Sequence, residues 1–572
     1  MIQGTYIIAT PLIGNGARQN TVIDLVTASV ADFGLDVMPG ASIHNLTINR
    51  DCQDAAITNS RSNLAILIGS HTDKSTGGRY DIKIDGVTIN STMITPNTRP
   101  CNAMGLINDV YDTEISNLDI SGDALIYLIA HWNYNATGDR TNHPRRISFN
   151  NIKVSGNGGD GMILSGCHDI RANGLYFDNV DRGLTISAGD QGGGSMSGDY
   201  PADESIDRVM SNINIRNLTV QNSVNEGILL FGASYPQNLT TNERWISINS
   251  PNQGILIDGY SCVRGAASTS CEGIIARLVQ NVTVKDMAFG DRYDRTENAA
   301  AAIVVDASNN GRYELNTSCL CAVNGISGRN NVFNINYTGN DANYSSAQNA
   351  LALKGALTNA TTNAAVAIGD TTIQLTLTCH IHPGMKFTHG GNVFEFTTGA
   401  YYDVGTPAFN TTIVGIRPAV AAIASGQTIV QHYGMQDTHV TGHIKNAHKG
   451  IRVQFPQGFL GGDMLIDSIF QNSNSCDVQV DNGHLVRIGG TYYMDNQATP
   501  ATYTVKDGIP SLSTVIMFNK VGTRRIGYGA AAPVTGTWAD GDIIYNNAPT
   551  STTQGSGWQC TTPGAPGTWT AL

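Results

Sequence analysis

Residues 147–187 read ISFNNIKVSGNGGDGMILSGCHDIRANGLYFDNVDRGLTIS, and this stretch decides the fold. Its short apolar pieces alternate with polar residues at every second position, and turns of Gly, Asn and Asp separate them. A period of two predicts strands that each bury one face. Gly161 and Gly183 hold equivalent places 22 residues apart. That repeat length is typical of one coil of a parallel β-helix, whose coils stack about 4.8 Å apart.

The same phrase recurs along residues 80–340. Gly227 holds the equivalent place in NLTVQNSVNEGILLF, and Gly273 holds it in SCEGIIARLVQNVTVKDMAF. Upstream, we align Ala124 of NLDISGDALIYL with the same place. A helix would need a period of 3.6, which these segments lack. The sequence therefore predicts an all-β chain built on a right-handed parallel β-helix, a solenoid.

Composition limits the classes of partner. The formal net charge is −12, whereas a protein that binds nucleic acid without sequence preference is normally basic. No run of eighteen apolar residues is present, so we expect no membrane insertion. The ten Cys include one CxC pair, Cys319 and Cys321, without a second pair, so we predict buried thiols and no metal site. No motif for another cofactor is found.

Three long insertions interrupt the repeat. They cover residues 131–146, 188–205 and 232–244, and each follows the same strand of its coil. We therefore expect them to stack along one edge of the solenoid and to wall a groove. Long loops on a rigid scaffold are common places for binding and catalysis.

The repeat also predicts a division of the chain. Residues 1–355 form the main β-helix with the groove, and 356–432 read as a small inserted β domain with Gly-bearing turns. Residues 433–500 resume the solenoid pattern. Residues 501–572 form a C-terminal β segment rich in Gly, Thr and Trp, for trimerisation or glycan binding.

Three pieces of the sequence together resemble bacteriophage tailspike polysaccharide depolymerases. The first is the looping β-helix itself. The second is the inserted segment, with DTTIQL (370–375), HPGMKF (382–387) and PAVAAI (418–423). The third and most specific is GTWADGDIIYNN (536–547) followed by GWQCTTPGAPGTW (557–569).

The resemblance implies a homotrimer of side-by-side β-helices on the virion tail, acting outside the cell. It implies endo-cleavage of a bacterial capsule or O-antigen polysaccharide, by hydrolysis or by β-elimination. No virion-attachment domain precedes the solenoid, so we expect the rest of the phage tail to be joined through an N-terminal domain that this sequence lacks. Catalytic positions vary within this family, and none is carried over.

A column of charged residues stands immediately before the equivalent Gly or Ala of each coil. It contains Asp123, Asp160, Arg182, Glu226 and Glu272. Stacked coils would place the acids at positions 160 and 226 about 9–10 Å apart, with the arginine between them. Inverting glycosidases use two carboxyls about 6.5–9.5 Å apart, one as acid and one as base. The alternative is a surface ladder that satisfies turn amides.

The intervening arginine should also affect the acids. A cation beside each carboxylate lowers its pKa, which suits a base better than an acid. We therefore expect both Asp160 and Glu226 to have lowered pKa values.

Other candidates lie on the insertions or near them. The predicted catalytic acids are Asp160, Glu226, Glu272 and Asp190, with Asp199, Asp203, Glu204 and Glu243 as rivals. Aromatic faces suit the C–H faces of sugars, and Arg forks suit acidic groups, so acidic sugars could be gripped by Arg140, Arg145, Arg146, Arg244 and Arg277. The predicted substrate-binding residues are Arg182, Trp132, His131, His168, Tyr235, Trp245, Arg244 and Arg277. His131 and His168 each follow their equivalent Ala or Gly by seven residues, so we expect them to be neighbours.

Hydrolysis by paired carboxylates is the favoured activity. A lyase would instead use a His, Lys or Tyr base beside a uronate, with Arg neutralising the carboxylate. A non-catalytic adhesin of the same fold is the third possibility. A free-living pectin or alginate lyase would leave the inserted segment and the Trp-rich end without a role.

Overall fold

The computed structural model describes most of the solenoid and parts of the C-terminal region. The described residues are 6–14, 21–27, 34–52, 64–69, 78–93, 102–131, 143–187, 210–232, 237–238, 243–244, 254–264, 272–290, 301–319, 321–339, 349–400, 402, 411–456, 458–460, 463–471, 476–481, 485–489, 514–517, 526–529, 532, 534, 538, 540–546, 557–564 and 567–572. None of these residues lies in a helix, so this part of the chain is all β.

The strands are short and follow one another closely. The first are β1 (Tyr6–Ile8), β2 (Leu12–Ile13), β3 (Val22–Thr27), β4 (Leu35–Val37), β5 (Ser42–Cys52), β6 (Leu64–Gly69), β7 (Arg79–Met93), β8 (Asn102–Ile107), β9 (Val110–Gly122), β10 (Ile126–His131), β11 (Arg145–Gly156), β12 (Asp160–Ser165), β13 (His168–Asp178) and β14 (Leu184–Ser187). The next are β15 (Ser211–Ser223), β16 (Ile228–Phe231), β17 (Gln237–Asn238), β18 (Glu243–Arg244), β19 (Ile255–Arg264), β20 (Ile274–Arg277), β21 (Val282–Gly290), β22 (Ala301–Asp306), β23 (Arg312–Thr317), β24 (Cys321–Gly325), β25 (Gly328–Arg329), β26 (Val332–Thr338) and β27 (Asn349–Thr362).

The remaining strands belong to the inserted sheet, the last coils and the C-terminal region. They are β28 (Thr372–Thr376), β29 (Lys386–His389), β30 (Asn392–Glu395), β31 (Thr411–Gly415), β32 (Thr428–Gln436), β33 (Thr438–Lys445), β34 (Lys449–Gln454), β35 (Asp463–Gln471), β36 (Cys476–Asp481), β37 (Leu485–Gly489), β38 (Thr514–Met517), β39 (Ile526–Gly529), β40 (Ile543–Asn546), β41 (Gly557–Thr562) and β42 (Thr568–Ala571).

The strands alternate between two parallel sheets, which confirms the β-helix. The long-strand sheet runs β5-β7-β9-β11-β13-β15-β19-β21-β23-β26-β33-β35-β37, and the short-strand sheet runs β4-β6-β8-β10-β12-β14-β16-β20-β22-β24-β27-β34-β36. Met162 pairs with Leu184 across the short-strand sheet, 22 residues further on. Ile147 pairs with Ile170 across the long-strand sheet, one coil later. The predicted coil length is therefore the observed one.

A left-handed residue bends the long strand of successive coils. Asn117 (φ 51°), Asn151 (φ 55°), Gly174 (φ 72°) and Asn217 (φ 52°) occupy this position. Asn, Asp and Gly adopt this conformation at the lowest cost. The Asn151 side-chain amide donates to Asn117 Oδ1 at 3.2 Å, so the bends are also joined from coil to coil. These four coils consequently turn at the same place.

The core is a continuous apolar column inside the coils. Inward residues such as Met162, Leu164, Phe149 and Phe177 are fully buried, whereas Ile163 faces outward. Burial of such side chains is the main stabilising contribution to the solenoid. The alternation of apolar and polar residues in the sequence therefore indicates directly which face of each strand is buried.

An antiparallel sheet interrupts the solenoid near residue 355. β27 pairs in parallel with β34 in the solenoid, and its later part pairs antiparallel with β32, where Gly355 faces Gly434. β28 to β31 complete this inserted sheet, which has its own core around the stacked rings of Phe387 and Phe394, 4.8 Å apart. The chain returns to the solenoid at β33.

The C-terminal region contains a small four-stranded sheet, β39 to β42. Cys560 is fully buried there, and the rings of Trp538 and Trp569 meet edge to face at 5.0 Å. The all-β fold, with an inserted small β domain and a C-terminal β segment, is thus the one that the sequence predicts.

Candidate functional site

Four residues of the predicted column stand on consecutive coils. Asp160, Arg182, Glu226 and Glu272 each precede a Gly whose neighbours are paired across the short-strand sheet. The backbone confirms the order, because Gly161, Gly183 and Gly227 donate their N–H groups to the carbonyls of Arg182, Glu226 and Glu272. The column lies at the turn that leads from the long-strand sheet into the short-strand sheet.

Asp123 does not belong to this column, contrary to the prediction. Gly122 pairs with Gly156 of the next coil, and this pairing fixes how the two coils align. Ile126 consequently pairs with Asp160. Asp123 instead accepts a hydrogen bond from the Asn157 side chain at 3.1 Å. The sequence alignment on Ala124 was displaced because Ala124 and its neighbours belong to the turn.

Arg182 joins the two acids that flank it. Its Nε donates to Glu226 Oε2 at 2.7 Å, and its Nη1 lies 3.8 Å from Asp160 Oδ1. The side chains of Asp160 and Glu226 are 17% and 18% exposed, and that of Arg182 is 34% exposed. Burial acts to lower the pKa of Arg182, but the two acids outweigh it and raise this pKa. The three side chains therefore form one partly buried charged unit that solvent still reaches.

The expectation of a lowered pKa at Asp160 is wrong. Burial raises the pKa of Asp160 to about 6, and Arg182 only partly opposes this. Nearby Asp181 and Glu226 add to the rise. Desolvation penalises the charged carboxylate more than one cation at 3.8 Å favours it. Asp160 therefore has the character of an acid rather than of a base.

Glu272 stands one coil beyond Glu226 and is partly exposed. Its role as a catalytic acid stays a prediction. A polar contact lies beside the column, where the Asn225 side chain donates to Asp181 Oδ1 at 2.5 Å. This contact joins the turns of two consecutive coils next to the two acids.

The two predicted histidines lie in different sheets, since His131 ends β10 of the short-strand sheet and His168 begins β13 of the long-strand sheet. His131 is only 2% exposed and pairs with Ser165, not with His168. The His168 ring meets that of His143 edge to face, with centroids 4.9 Å apart, and His168 Nδ1 lies 2.9 Å from Ser211 Oγ. The predicted contact of His131 with His168 is wrong because the intervening turn shifts the equivalent positions.

Arg277 contacts a buried acid that the sequence pattern did not single out. Its Nε lies 3.5 Å from Asp306 Oδ2, on the next coil. Asp306 also accepts hydrogen bonds from the Tyr433 hydroxyl and from Ser327, and His380 Nε2 lies 3.5 Å away. This cluster joins the solenoid to the inserted sheet, so the Arg277 guanidinium is part of a docking contact.

Several predicted residues lie outside the described part of the chain. They are Asp190, Trp132, Tyr235 and Trp245, with the rivals Asp199, Asp203 and Glu204. Arg244 and Glu243 lie in β18, but their side chains are not described. The insertions begin where β10, β14 and β16 end, which is one edge of the short-strand sheet. The catalytic and binding roles of all these residues stay predictions.

The sequence indicated Arg145 and Arg146 as possible binders of acidic sugars, but not the second polar column that they form with two tyrosines. Tyr80, Tyr111 and Arg145 begin the long strands of three consecutive coils. The dipeptide Tyr-Asp at 80–81 and again at 111–112 was the available signal. Within the ranges that the structure describes, no group of three or more His, Cys, Asp or Glu residues could hold a metal ion. Those ranges also contain no helix long and apolar enough to cross a membrane.

Comparisons with known proteins find similarity among solved structures alone. No protein-family model matches the chain, and no curated protein matches it. The chain is similar to bacteriophage tailspike proteins. A double-mutant tailspike protein of E. coli bacteriophage HK620 matches 75% of this chain and 87% of its own, with 10% identity and a TM-score of 0.39. The HK620 tailspike in complex with a pentasaccharide matches 75% and 86%, with 11% identity and a TM-score of 0.35.

With identities of 10% and 11% and TM-scores below 0.5, these matches assign no residue and no activity to this chain.

Proposed function

We propose that this chain binds a bacterial surface polysaccharide and cleaves it internally by glycoside hydrolysis. The observation that carries the proposal is the unit of Asp160, Arg182 and Glu226. It combines two carboxyls on one side of a rigid scaffold with a raised pKa at one of them. Glycoside hydrolysis needs such a pair, because one carboxyl must be protonated and the other ionised at the same pH.

Asp160 is the proposed general acid. A pKa of about 6 leaves a useful fraction of the carboxyl protonated near neutral pH. It can then protonate the glycosidic oxygen as the bond breaks. Glu226 is the proposed base, and its oxygen accepts a charge-assisted hydrogen bond from Arg182. It would remove a proton from the attacking water.

Inversion of configuration is the proposed stereochemical outcome. Both carboxyls contact the same guanidinium, at 3.8 Å and 2.7 Å. Their separation is therefore limited by these contacts and the width of one guanidinium, which keeps it below the upper limit of about 9.5 Å for inverting enzymes. The two backbones are two coils apart, about 9.6 Å. Inverting enzymes space their two carboxyls about 6.5–9.5 Å apart and retaining enzymes about 5–5.5 Å apart, so the anomer of the product tests this assignment.

The proposed setting is a phage tail. The C-terminal sequence resembles those of tailspike depolymerases, which implies a homotrimer on the virion that acts on the bacterial surface. The HK620 tailspike was solved with a pentasaccharide, which is the class of ligand proposed here.

A panel of purified capsular and O-antigen polysaccharides tests the proposal. Incubation with the protein should shorten at least one polymer, and each cleaved bond should gain one water by mass spectrometry. Nuclear magnetic resonance of the fresh products should show the inverted anomer. Products that carry an unsaturated uronate, seen by ultraviolet absorbance, would instead establish the lyase reaction. Tight binding without any cleavage would establish the adhesin.

A further inference from the structure

A stacked column of aromatic and cationic side chains lies at the start of the long strands. Tyr80 pairs with Tyr111, and Tyr111 pairs with Arg145, on consecutive coils. The two phenol rings stack at 5.3 Å with 19° between their planes. The Arg145 guanidinium lies 4.4 Å above the Tyr111 ring and 2.9 Å from Asp109. We call these residues, together with Arg146, the Tyr–Arg column.

Arg146 breaks a pattern that the neighbouring coils keep. Its φ is +51°, in the left-handed region, and the equivalent positions hold short residues that tolerate this conformation. These residues are Asp81, Asp112, Asp169 and Asn212. A long side chain costs more than Asn or Asp there. Residues held at such a cost are frequent at functional sites, so Arg146 points to a role beyond folding.

The Arg146 side chain is presented at the surface. It makes a two-pronged contact with Asp112, with Nε at 2.7 Å and Nη2 at 2.9 Å. Its guanidinium also lies 5.4 Å from the Tyr111 ring. Arg146 and Asp112 remain 48% and 43% exposed, and Tyr80 is 41% exposed. The column is therefore rigid and open to solvent.

We propose that the Tyr–Arg column is a second, non-catalytic polysaccharide-binding surface, which holds neutral sugar residues of the polymer while another segment is cut. The proposal rests on the proposed function, since both use the same polymer. Each arginine is balanced by an aspartate. Such a neutral pair of donor and acceptor suits the vicinal hydroxyls of a neutral sugar better than it suits the carboxylate of an acidic sugar. The phenol rings add amphipathic contact area.

The repeat of the scaffold matches a linear polymer. Coils are stacked about 4.8 Å apart, which is close to the length of one sugar residue along an extended chain. Equivalent side chains on consecutive coils can therefore meet consecutive sugars. A polymer anchored in this way would stay near Asp160 and Glu226 between cleavages, because a second contact raises the effective concentration of the chain.

Two substitutions separate this proposal from a purely structural ladder. Arg146→Asn removes the guanidinium and relieves the left-handed strain, and Tyr80→Ala removes the exposed ring. Both are made in the Asp160→Asn background, and binding to the immobilised polysaccharide panel is measured. Arg216→Ala, an exposed arginine of the long-strand sheet, is the matched control.

Arg146→Asn should weaken binding about tenfold, as for one lost charge-assisted contact, with an unchanged or raised melting temperature. In the active enzyme, Arg146→Asn should raise KM for long polysaccharide chains. Binding equal to that of Arg216→Ala would overturn the proposal and leave the proposed hydrolysis untouched. Binding that depends on Arg146 without cleavage by the wild-type protein would overturn hydrolysis alone. If the wild-type protein bound no polysaccharide, both would fail.

Discussion

Arg182 donates its Nε hydrogen to Glu226 across two consecutive coils at 2.7 Å, although the two residues are 44 apart in sequence. Its other side faces Asp160, which is on the preceding coil. The spacing of the two acids is therefore fixed by backbone stacking rather than by flexible loops. Preorganised charged groups of this kind are the usual basis of catalysis.

Neutralising either proposed catalytic acid should nearly abolish cleavage. Asp160→Asn and Glu226→Gln should each reduce kcat by about 10²–10⁴, as expected for loss of a general acid or base. The same assay on Glu272→Gln and Asp190→Asn tests the other two predicted acids. Glu114→Gln is the control, since Glu114 is 46% exposed in a surface pair with Lys83. Near wild-type rates in all four variants would leave the column as a structural ladder.

The pH profile should reflect the raised pKa of Asp160. The acid must be protonated to act, so kcat/KM should fall as the pH rises through about 6. This limb should disappear from the residual activity of Asp160→Asn. A profile that stays flat between about pH 5 and about pH 8 would count against Asp160 as the acid.

The same group should make stability depend on pH. The pKa of Asp160 is higher in the folded state than the ordinary value of 3.8, so the folded state binds the proton more tightly. Its stabilising contribution is complete below the unfolded pKa and is lost as the pH rises through about 6. A tenfold difference in proton affinity between the folded and unfolded states corresponds to about 1.4 kcal/mol. Asp160→Asn should therefore melt higher than the wild-type protein at about pH 8 but not at about pH 4.

The hydroxyl of Tyr433 should anchor the inserted sheet. It donates to Asp306, which is 5% exposed and also contacts Arg277 and His380. Tyr433→Phe leaves a buried carboxylate oxygen short of one donor, which costs about 1–3 kcal/mol. Thermal unfolding and proteolysis of the inserted sheet measure this. Tyr176→Phe is the control, because that hydroxyl makes a 3.3 Å contact near the surface. Equal melting of the two variants would contradict the anchoring role.

Deleting residues 356–432 should leave cleavage largely intact. Gly355 faces Gly434 across β27 and β32, so a short linker can close the gap. The strands β22 and β24 separate the coil of Glu272 from β27. Cleavage of the polymer and a melting curve are measured on the deletion variant. A folded variant without activity would move the site towards the inserted sheet.

The chain should form a homotrimer. One chain has a mass of 60.7 kDa, and light scattering in solution should give three times this value. Such an assembly should also unfold slowly, since stacked coils must open together. A measured mass of one chain at working concentration would contradict the predicted homotrimer.

The fold was readable from the sequence because its signals are local. Gly161, Gly183 and Gly227 mark the same turn in successive coils, and alternation marks the buried face. The column of Asp160, Arg182 and Glu226 followed from this count. Asp123 was misplaced because a turn of similar composition offered a competing alignment, and only the pairing of Gly122 with Gly156 resolves it.

The electrostatics of the site were not readable in the same way. The pKa of Asp160 depends on how deeply the turn buries it, and a sequence does not report burial of a turn. The contact between Asp306 and His380 joins residues of the solenoid and of the inserted sheet, which no periodicity connects. Local patterns therefore predicted the scaffold, whereas contacts between distant segments determine the burial and pairing of its charged groups.

The left-handed bend that successive coils share around Asn151 has a consequence for the history of the gene. Ile147 pairs with Ile170, and Asn151 and Gly174 bend their strands at the same step. Each coil interacts mainly with its two neighbours, as in other repeat proteins. An in-frame duplication or deletion of one such segment therefore restores every bend and every pairing. The gene can therefore lengthen by whole coils. Such a change adds residues to a surface column, or moves two columns apart, without a change of fold.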